Sequence, residues 1–342
     1  MRITKWTIYR MTFGVGILAI VVALIVDSFF QYYAIPNQRH FSNTRKIDRI
    51  IVGNFEEEIP IFGSSVARRG YYCDSIAPNV YNYGMSGSLF NSIYPLMQIE
   101  LDKDKDTPVI LDFDHHTFLY SEHIKLDLSN YVPHIENAYI REMLKEHDKC
   151  DWNFRVPGLR YFGLYMDYTR DFLKPKLETE ELISCGGVFY PPKEQVFLRY
   201  LAKREEMIKE EQDLREKKKS NPTLFNNSDA RRLEYFEALF SFHPDSGNVA
   251  KLESLMSENP NRQFFLVYSP QNWSKIDALV NYDEIISFLA RLEKDHANLK
   301  VLDYSLADFP DTYYRDSGHM NILGAKVFSG MLGRDIRPYL KN

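Results

Sequence analysis

The segment Ile59-Pro-Ile-Phe-Gly-Ser-Ser-Val-Ala-Arg-Arg69 decides the predicted fold. Its first four residues, Ile59 to Phe62, have the apolar character of a short buried strand. Gly63 follows as a turn residue, and residues 64–69 have helical propensity. The segment therefore predicts a strand, a tight turn and the N-terminus of a helix.

Similar strands and helices continue on both sides of a long middle region. The further predicted elements are a strand at 80–83, a helix at 89–101, strands at 108–113, 263–268 and 300–304, a helix at about 282–296 and a final helix that begins near Asn321. Strands that alternate with helices predict an α/β fold with a parallel sheet and crossover helices. In such folds, active sites lie at the carboxyl ends of the strands.

The middle region interrupts this alternation at about 117–261 and predicts an insertion. It contains long helical stretches, among them an amphipathic helix, and a Gly186-Gly187 loop that leads to Pro191-Pro192. Because predicted sheet strands lie on both sides of it, we expect one domain over 59–342 that contains this helical insertion, with a connector at 36–58.

The N-terminus has the pattern of a signal anchor. Arg2, Lys5 and Arg10 precede an apolar run that extends over 11–35, interrupted by Asp27 and Gln31. A cleaved signal peptide is the alternative, but no site with the small-x-small pattern follows the run. The upstream charges predict a cytoplasmic N-terminus at 1–10, a transmembrane helix at 11–35 and a remainder outside the cytoplasm.

The net charge and the cysteine spacing limit which partners and cofactors are expected. A formal net charge of -5 gives no basic field for a phosphate backbone, so nucleic acid is not an expected partner. Cys73, Cys150 and Cys185 lack the spacing of a zinc site, and no metal or other cofactor is expected. The cysteines could form one disulfide, best between Cys150 and Cys185, or remain three buried thiols.

A serine, a histidine and an aspartate form the candidate catalytic set. A serine hydroxyl needs a neighbouring base to remove its proton, and that base needs an acceptor to orient its ring. Asp316 and His319 lie three residues apart on a predicted loop, and Ser65 lies at the predicted helix N-terminus. The alternative for the Gly63-Ser64-Ser65 turn is a helix N-cap with no catalytic role.

In this order, the motifs resemble those of the SGNH or GDSL hydrolase family. Gly63-Ser64-Ser65 is similar to the first block, with Ser65 at the nucleophile position, and Gly84 matches the glycine of the second block. The last block, D-x-x-H followed by N-x-x-G-A, is similar to the run from Asp316 to Ala325. The resemblance implies a flavodoxin-like, three-layer α/β fold with a triad of Ser65, His319 and Asp316.

The third block departs from the family pattern, because Asp114 lies where the resemblance places an oxyanion-binding asparagine. An ionised carboxylate cannot donate a hydrogen bond. The implied oxyanion site thus comprises Ser65, Gly84 and the position of Asp114, and His115 or His116 could supply a missing donor. Arg68, His115 and His116 are the candidate substrate-binding residues, although an exposed helix arginine is the more common case for a residue such as Arg68.

The anchor, the Gly-Ser-Ser block and the helical insertion look most like the extracytoplasmic acyl-transfer branch of this family. That branch includes proteins of teichoic-acid D-alanylation and alginate acetylation. The resemblance implies a serine esterase or O-acyltransferase on the periplasmic side of a bacterial cytoplasmic membrane. Its expected partners are a cell-envelope glycan and a membrane-bound O-acyltransferase. The alternative is a catalytically impaired glycan-binding or scaffold subunit of an envelope assembly.

Overall fold

The structure is a computed structural model that describes residues 5–38, 42–118, 126–173 and 182–340. The chain divides into two compact units. The first comprises Met1–Gly53 and Lys125–Thr179, and the second comprises Asn54–Ile124 and Glu180–Asn342. The predicted domain boundaries stay a prediction, and residues 119–125 and 174–181 of the predicted insertion lie outside the described residues.

Helices and strands are numbered in chain order. The helices are α1 (Lys5–Phe29), α2 (Asn43–Val52), α3 (Ser65–Gly70), α4 (Phe90–Leu101), α5 (Leu128–Tyr131), α6 (Ala138–Glu146), α7 (Tyr165–Leu173), α8 (Glu194–Ser220), α9 (Asn227–Phe240), α10 (Ser246–Glu258), α11 (Trp273–Ile276), α12 (Tyr282–Asp295) and α13 (Ile322–Ile336). The strands are β1 (Ile59–Phe62), β2 (Val80–Asn82), β3 (Val109–Asp112), β4 (Leu182–Ser184), β5 (Gly187–Phe189), β6 (Phe264–Tyr268), β7 (Leu299–Asp303), β8 (Tyr314–Asp316) and β9 (His319–Met320).

The second unit contains a five-stranded sheet in the order β2-β1-β3-β6-β7. All four neighbouring pairs are parallel, with Ile61 opposite Ile110 and Leu111 opposite Leu266. Counted among these five strands alone, the order is 2-1-3-4-5, which is the flavodoxin-like doubly wound order. The structure therefore confirms the predicted α/β class with a central parallel sheet.

Both faces of the sheet are buried, as is usual for parallel sheets. Side chains on one face, including Ile61, Ile110 and Phe265, pack in one cluster with Phe328 and Leu332 of α13. Successive side chains of a strand point to opposite faces. The neighbours of these residues along the strands, Phe62, Leu111 and Leu266, therefore face the other way, and they too are buried.

Two short hairpins correct the predictions for their segments. The Gly186-Gly187 stretch was expected as a loop, but it joins β4 to β5 in an antiparallel hairpin. Cys185 and Gly186 form its turn with φ values of 44° and 84°, the left-handed pair of a tight two-residue hairpin turn. The Asp316–His319 segment is likewise a hairpin, β8–β9, rather than an irregular loop.

The longest described helix, α8, lies within the predicted helical stretch and packs against α9. Leu214 of α8 is buried in a cluster with Leu233, Phe236 and Phe240 of α9. Part of the apolar side of α8 is therefore covered within the second unit, whereas Leu198 and Tyr200 are exposed.

In the first unit, α1 continues into a π-helical turn at Phe30–Ala34. The stretch Tyr9–Ala34 is long and apolar enough to cross a membrane. Just after α1, Phe30 is buried against the rings of Tyr161, Tyr165 and Tyr168. The end of the apolar run is thus part of the packing of this unit.

The three cysteines carry free thiols. Cys73 is buried, whereas Cys150 and Cys185 are half-buried. The suggested Cys150–Cys185 disulfide is therefore not formed in this structure, and only one of the three thiols matches the buried state of the alternative.

Candidate active site

The two serines of the Gly63-Ser64-Ser65 turn differ in their roles. Ser64 is the N-cap of α3, because its Oγ accepts a hydrogen bond from the Val66 N–H at 3.2 Å. Ser65 is the first residue of the helix, and its Oγ lies 2.8 Å from His319 Nε2. The N-cap alternative therefore describes Ser64, while Ser65 contacts a base.

The β8–β9 hairpin positions the other two members of the candidate triad. Asp316 and His319 are paired directly across the hairpin. Asp316 Oδ1 lies 2.7 Å from His319 Nδ1 and also accepts a hydrogen bond from the Gly318 N–H at 3.0 Å. The tight turn thus holds the carboxylate against the imidazole without a third segment.

These contacts define one hydrogen-bonded chain from Asp316 through His319 to Ser65. Burial would raise the pKa of Asp316, but the hydrogen bond and charge of His319 outweigh it, and the pKa is lowered. The carboxylate can only accept, so the proton of a neutral His319 lies on Nδ1. Nε2 is then left to accept the hydroxyl proton of Ser65, which is the geometry a general base needs.

The sequence around Asn321 fixes this hairpin to α13. Asn321 caps the helix by accepting from the N–H groups of Leu323 and Gly324, and its amide donates to the carbonyls of Thr312 and Tyr314. A Cβ on Gly324 would lie 2.4 Å from the Tyr313 carbonyl oxygen. The asparagine of the N-x-x-G motif therefore caps α13, and its glycine lets the helix approach the Tyr313 carbonyl closely.

The predicted oxyanion residues have different surroundings. The Ser65 N–H belongs to the first helical residue and has no acceptor inside the helix. The Gly84 N–H, in contrast, donates to Asn82 Oδ1 at 2.8 Å. An oxyanion would have to share or displace that hydrogen bond in order to use Gly84.

Asp114 lies beside Ser64 and Lys275 in the interior of the second unit. Its Oδ2 accepts from Ser64 Oγ at 3.4 Å, and its Oδ1 lies 3.4 Å from Lys275 Nζ. Burial would raise the pKa of Asp114, but the Lys275 ammonium and the neighbouring histidines lower it well below its usual range. Asp114 is therefore a carboxylate, which accepts hydrogen bonds and cannot supply an oxyanion donor.

Asp112, two residues earlier, is also buried, but its pKa is shifted in the opposite direction. Burial, with the charge of Asp114 adding to it, raises the pKa of Asp112 to about 7. The Tyr71 hydroxyl donates to Asp112 Oδ1 at 2.6 Å and partly offsets that rise. Two buried carboxyl groups therefore share the neighbourhood of a single buried lysine.

The three predicted substrate-binding residues are placed differently. His115 is wholly buried, so it has no surface with which to contact a substrate in this structure. Burial lowers the pKa of His115 well below its usual value, so its ring is neutral. Arg68 and His116 are half-buried, and Arg68 donates to Ser86 Oγ at 3.2 Å.

Asp114, His115 and His116 are close enough to be considered as metal ligands. One potential ligand atom from each lies within 4.8 Å of the others. The Lys275 ammonium, however, already partners the Asp114 carboxylate. A cation there would meet that positive charge at short range, so the cluster is poorly suited to a metal ion.

A cavity of about 290 Å³ lies in the second unit, and residues of α8 and α11 contribute to its lining. Arg204, Phe240 and Trp273 are among the residues that line it, whereas none of the candidate triad residues does. This cavity and the candidate triad are therefore separate features of the second unit.

Sequence reasoning did not identify Lys275, Asp112 or Asn82 as parts of the site. Lys275 lies on α11, just beyond the carboxyl end of β6, and Asp112 is the last residue of β3. Asp112 carried a usable signal, a polar residue at the end of a strand, whereas Lys275, in a separate helix after β6, carried none. Asn82 is the last residue of β2. Its side chain accepts a hydrogen bond from the Gly84 N–H and donates one to the Ala67 carbonyl, and these contacts exist only in the folded chain.

Comparisons with known proteins add little to this geometry. No protein-family model matches the chain, and no curated protein matches it. Among solved structures, it is similar to a Streptococcus pneumoniae protein provisionally described as a platelet activating factor. The identity is 11%, the match covers 93% of this chain and 99% of that chain, and the TM-score is 0.38. A likeness of this degree indicates neither activity nor substrate.

Proposed function

We propose that this chain is a serine esterase or O-acyltransferase of the SGNH type, which acts through an acyl-Ser65 intermediate. The observation that carries the proposal is the hydrogen-bonded chain from Asp316 Oδ1 to His319 Nδ1 and from His319 Nε2 to Ser65 Oγ. A nucleophile, a base and an orienting carboxylate in contact are the requirement for acyl transfer by serine.

In the first half of the reaction, Ser65 Oγ attacks the acyl carbonyl carbon while His319 Nε2 takes the hydroxyl proton. Asp316 balances the imidazolium charge that forms. The imidazolium then returns the proton to the leaving alcohol, the ester bond breaks, and the acyl group stays on Ser65. In the second half, water or a glycan hydroxyl gives its proton to Nε2 and attacks the acyl carbon. The bond from the acyl carbon to Ser65 Oγ then breaks, and the imidazolium returns the proton to Oγ.

The first candidate donor for the developing oxyanion is the Ser65 N–H at the start of α3. The Gly84 N–H becomes a second donor if the substrate displaces Asn82 Oδ1. Loss of one donor costs about 100-fold to 1,000-fold in rate. A slow transferase can operate with such a site, so the surroundings of Asp114 are compatible with the proposed reaction.

The proposed setting is the outer side of a bacterial cytoplasmic membrane, and the proposed substrates are acyl esters of cell-envelope glycans. The helix over Tyr9–Ala34 supports attachment to a membrane by its length and apolar character. The glycan substrate and a membrane-bound O-acyltransferase partner depend on the resemblance of the motifs to the acyl-transfer branch.

A second candidate function is a non-catalytic glycan-binding or scaffold subunit. Two observations favour it. The Gly84 N–H is already bonded to Asn82, and the ionised Asp114 stands in the place of a donor. Such a protein would retain the fold and the Ser65–His319 contact but would not form a covalent adduct at a useful rate.

Labelling with a fluorophosphonate distinguishes the two functions, because the probe reacts only with an activated serine. We expect the full-length protein to be labelled, Ser65→Ala to abolish labelling, and Ser64→Ala to retain much of it. Ser64→Ala is the matched control, since it removes an N-cap worth about 1 kcal/mol and leaves the His319 contact. Equal labelling of wild type and Ser65→Ala would exclude Ser65 as the nucleophile.

A further inference from the structure

A second reactive pair lies outside the triad, at the thiols of Cys73 and Cys185. Cys73 belongs to the single-turn helix Cys73–Ser75 and is wholly buried, while Cys185 is half-buried in the turn between β4 and β5. The Cys73 Sγ lies 3.8 Å from the Cys185 carbonyl oxygen, and both side chains pack in the same apolar cluster. The two cysteines are therefore neighbours in the folded chain.

The backbone around Cys185 is fixed, which keeps the two thiols together. The Cys185 carbonyl accepts a hydrogen bond from the Asn82 N–H at 2.8 Å. A Cβ on Gly186 would lie 2.5 Å from the Asn82 carbonyl oxygen, so the turn approaches β2 as closely as only glycine permits. The hairpin tip is thus held against β2, and Cys185 is held beside Cys73.

The surroundings of Cys185 also favour its reaction. A hydrogen bond from Cys73 is the largest cause of a pKa for Cys185 that is lowered to about 7. A hydrogen bond from Ser184 Oγ at 3.4 Å also lowers the pKa of its thiol, whereas the contact of the thiol with Asp74 Oδ1 at 3.3 Å raises it. A substantial thiolate fraction therefore exists at neutral pH, and the half-exposed position gives an oxidant access.

We propose that Cys73 and Cys185 are a site of oxidative modification and form a disulfide by exchange with an external disulfide. The Cys185 thiolate attacks one sulfur of that oxidant, whose other half leaves as a thiolate. Cys73 then loses its proton and attacks Cys185 Sγ, which releases the second half. Two protein thiols thereby lose two electrons and two protons, and the oxidant becomes two thiols.

That the protein meets an oxidising environment in the cell rests on the proposed function, which places this unit outside the cytoplasm. The exchange chemistry itself does not depend on that placement. The bond closes a loop between residues 112 positions apart. It also secures the segment next to the site, because Tyr190 follows β5 and its ring contacts the guanidinium groups of Arg69 and Arg315. The oxidised form therefore braces the helix of Ser65 and the hairpin of Asp316 together.

The test is disulfide mapping of the full-length protein in detergent after incubation with oxidised glutathione, followed by denaturation, alkylation and peptide mass spectrometry. We expect a peptide pair that joins Cys73 to Cys185, with Cys150 alkylated. Cys150→Ser is the matched control and should keep the link, whereas Cys73→Ser and Cys185→Ser should lose it. Oxidation should raise the Tm of wild type and Cys150→Ser by about 5–10 °C.

Three results would overturn the proposal. They are complete alkylation of Cys73 and Cys185 after oxidation, a glutathione adduct on Cys185 that never resolves, and a link from Cys185 to Cys150. The wild-type and Cys150→Ser results suffice even if Cys73→Ser fails to fold. Because the readout is a covalent bond, it is independent of fluorophosphonate labelling, and failure of one proposal is distinguishable from failure of the other.

Discussion

At Asp114, the sequence predicted that the usual oxyanion-binding donor is missing. The structure adds the residue that partners the Asp114 carboxylate. Lys275 is almost completely buried and lies 3.4 Å from Asp114 Oδ1. No motif marked Lys275, because a lone lysine after a strand has no recognisable spacing to a residue 161 positions away. The two residues come together only because β3 and β6 are neighbours in the folded sheet.

This pair changes what Asp114→Asn is expected to do. The amide gains a donor, which favours the oxyanion, but the substitution leaves the buried Lys275 ammonium without its countercharge. Removing one partner of a buried pair destabilises by about 3–5 kcal/mol. We therefore expect Asp114→Asn to lower the free energy of unfolding, measured by urea denaturation followed by circular dichroism.

The matched variant is Asp114→Asn combined with Lys275→Met, which removes both charges and should recover most of the lost stability. In that background, hydrolysis of a small acetyl ester should be at least as fast as in wild type, because the amide can donate where the carboxylate could not. A double variant as unstable as Asp114→Asn alone would show that Lys275 is not the partner that matters.

At the scale of elements, the regular alternation was predictable and the short hairpins were not. Strands β1, β3 and β6 are apolar runs bounded by turn residues, so their sequences suffice to predict them. Hairpin β8–β9 has strands of three and two residues, too short for any periodicity. Its geometry depends on Asn321, whose amide holds the preceding segment through tertiary hydrogen bonds.

Glycines of α13 provide a test of how that helix supports the hairpin. Gly324→Ala would bring a Cβ within 2.4 Å of the Tyr313 carbonyl oxygen, so the segment that leads to Asp316 must shift. We expect about 1–3 kcal/mol lower stability in denaturation and a loss of fluorophosphonate labelling.

Gly330→Ala is the control on the same helix, because an added Cβ there meets no atom within 4 Å. Alanine is the better helix former, so this variant should gain about 0.5–1 kcal/mol and keep its labelling. Equal behaviour of the two variants would contradict the role given to the close approach at Gly324.

At the scale of the whole molecule, the sequence predicted an apolar N-terminal helix, and the structure has one in α1. The sequence favoured an anchor over a cleaved signal, because no site with the small-x-small pattern follows the apolar run. In the first unit, Phe30 packs against three tyrosine rings and Gln31 accepts a hydrogen bond from Arg160 at 3.3 Å. Phe30 and Gln31 therefore belong to the packed part of the first unit, and a chain cleaved after Val26 would keep these contacts as well.

The last prediction concerns topology in the cell. Arg2, Lys5 and Arg10 precede the apolar run, so we expect residues 1–10 in the cytoplasm and the chain after about Ile35 outside it. Protease added to intact spheroplasts should digest the chain beyond Ile35 while a cytoplasmic marker survives. We expect mass spectrometry of the mature protein to detect residues 11–35, as the predicted retained anchor requires. Full protection until detergent is added would reverse the orientation, and a mature chain that begins after Val26 would establish cleavage instead.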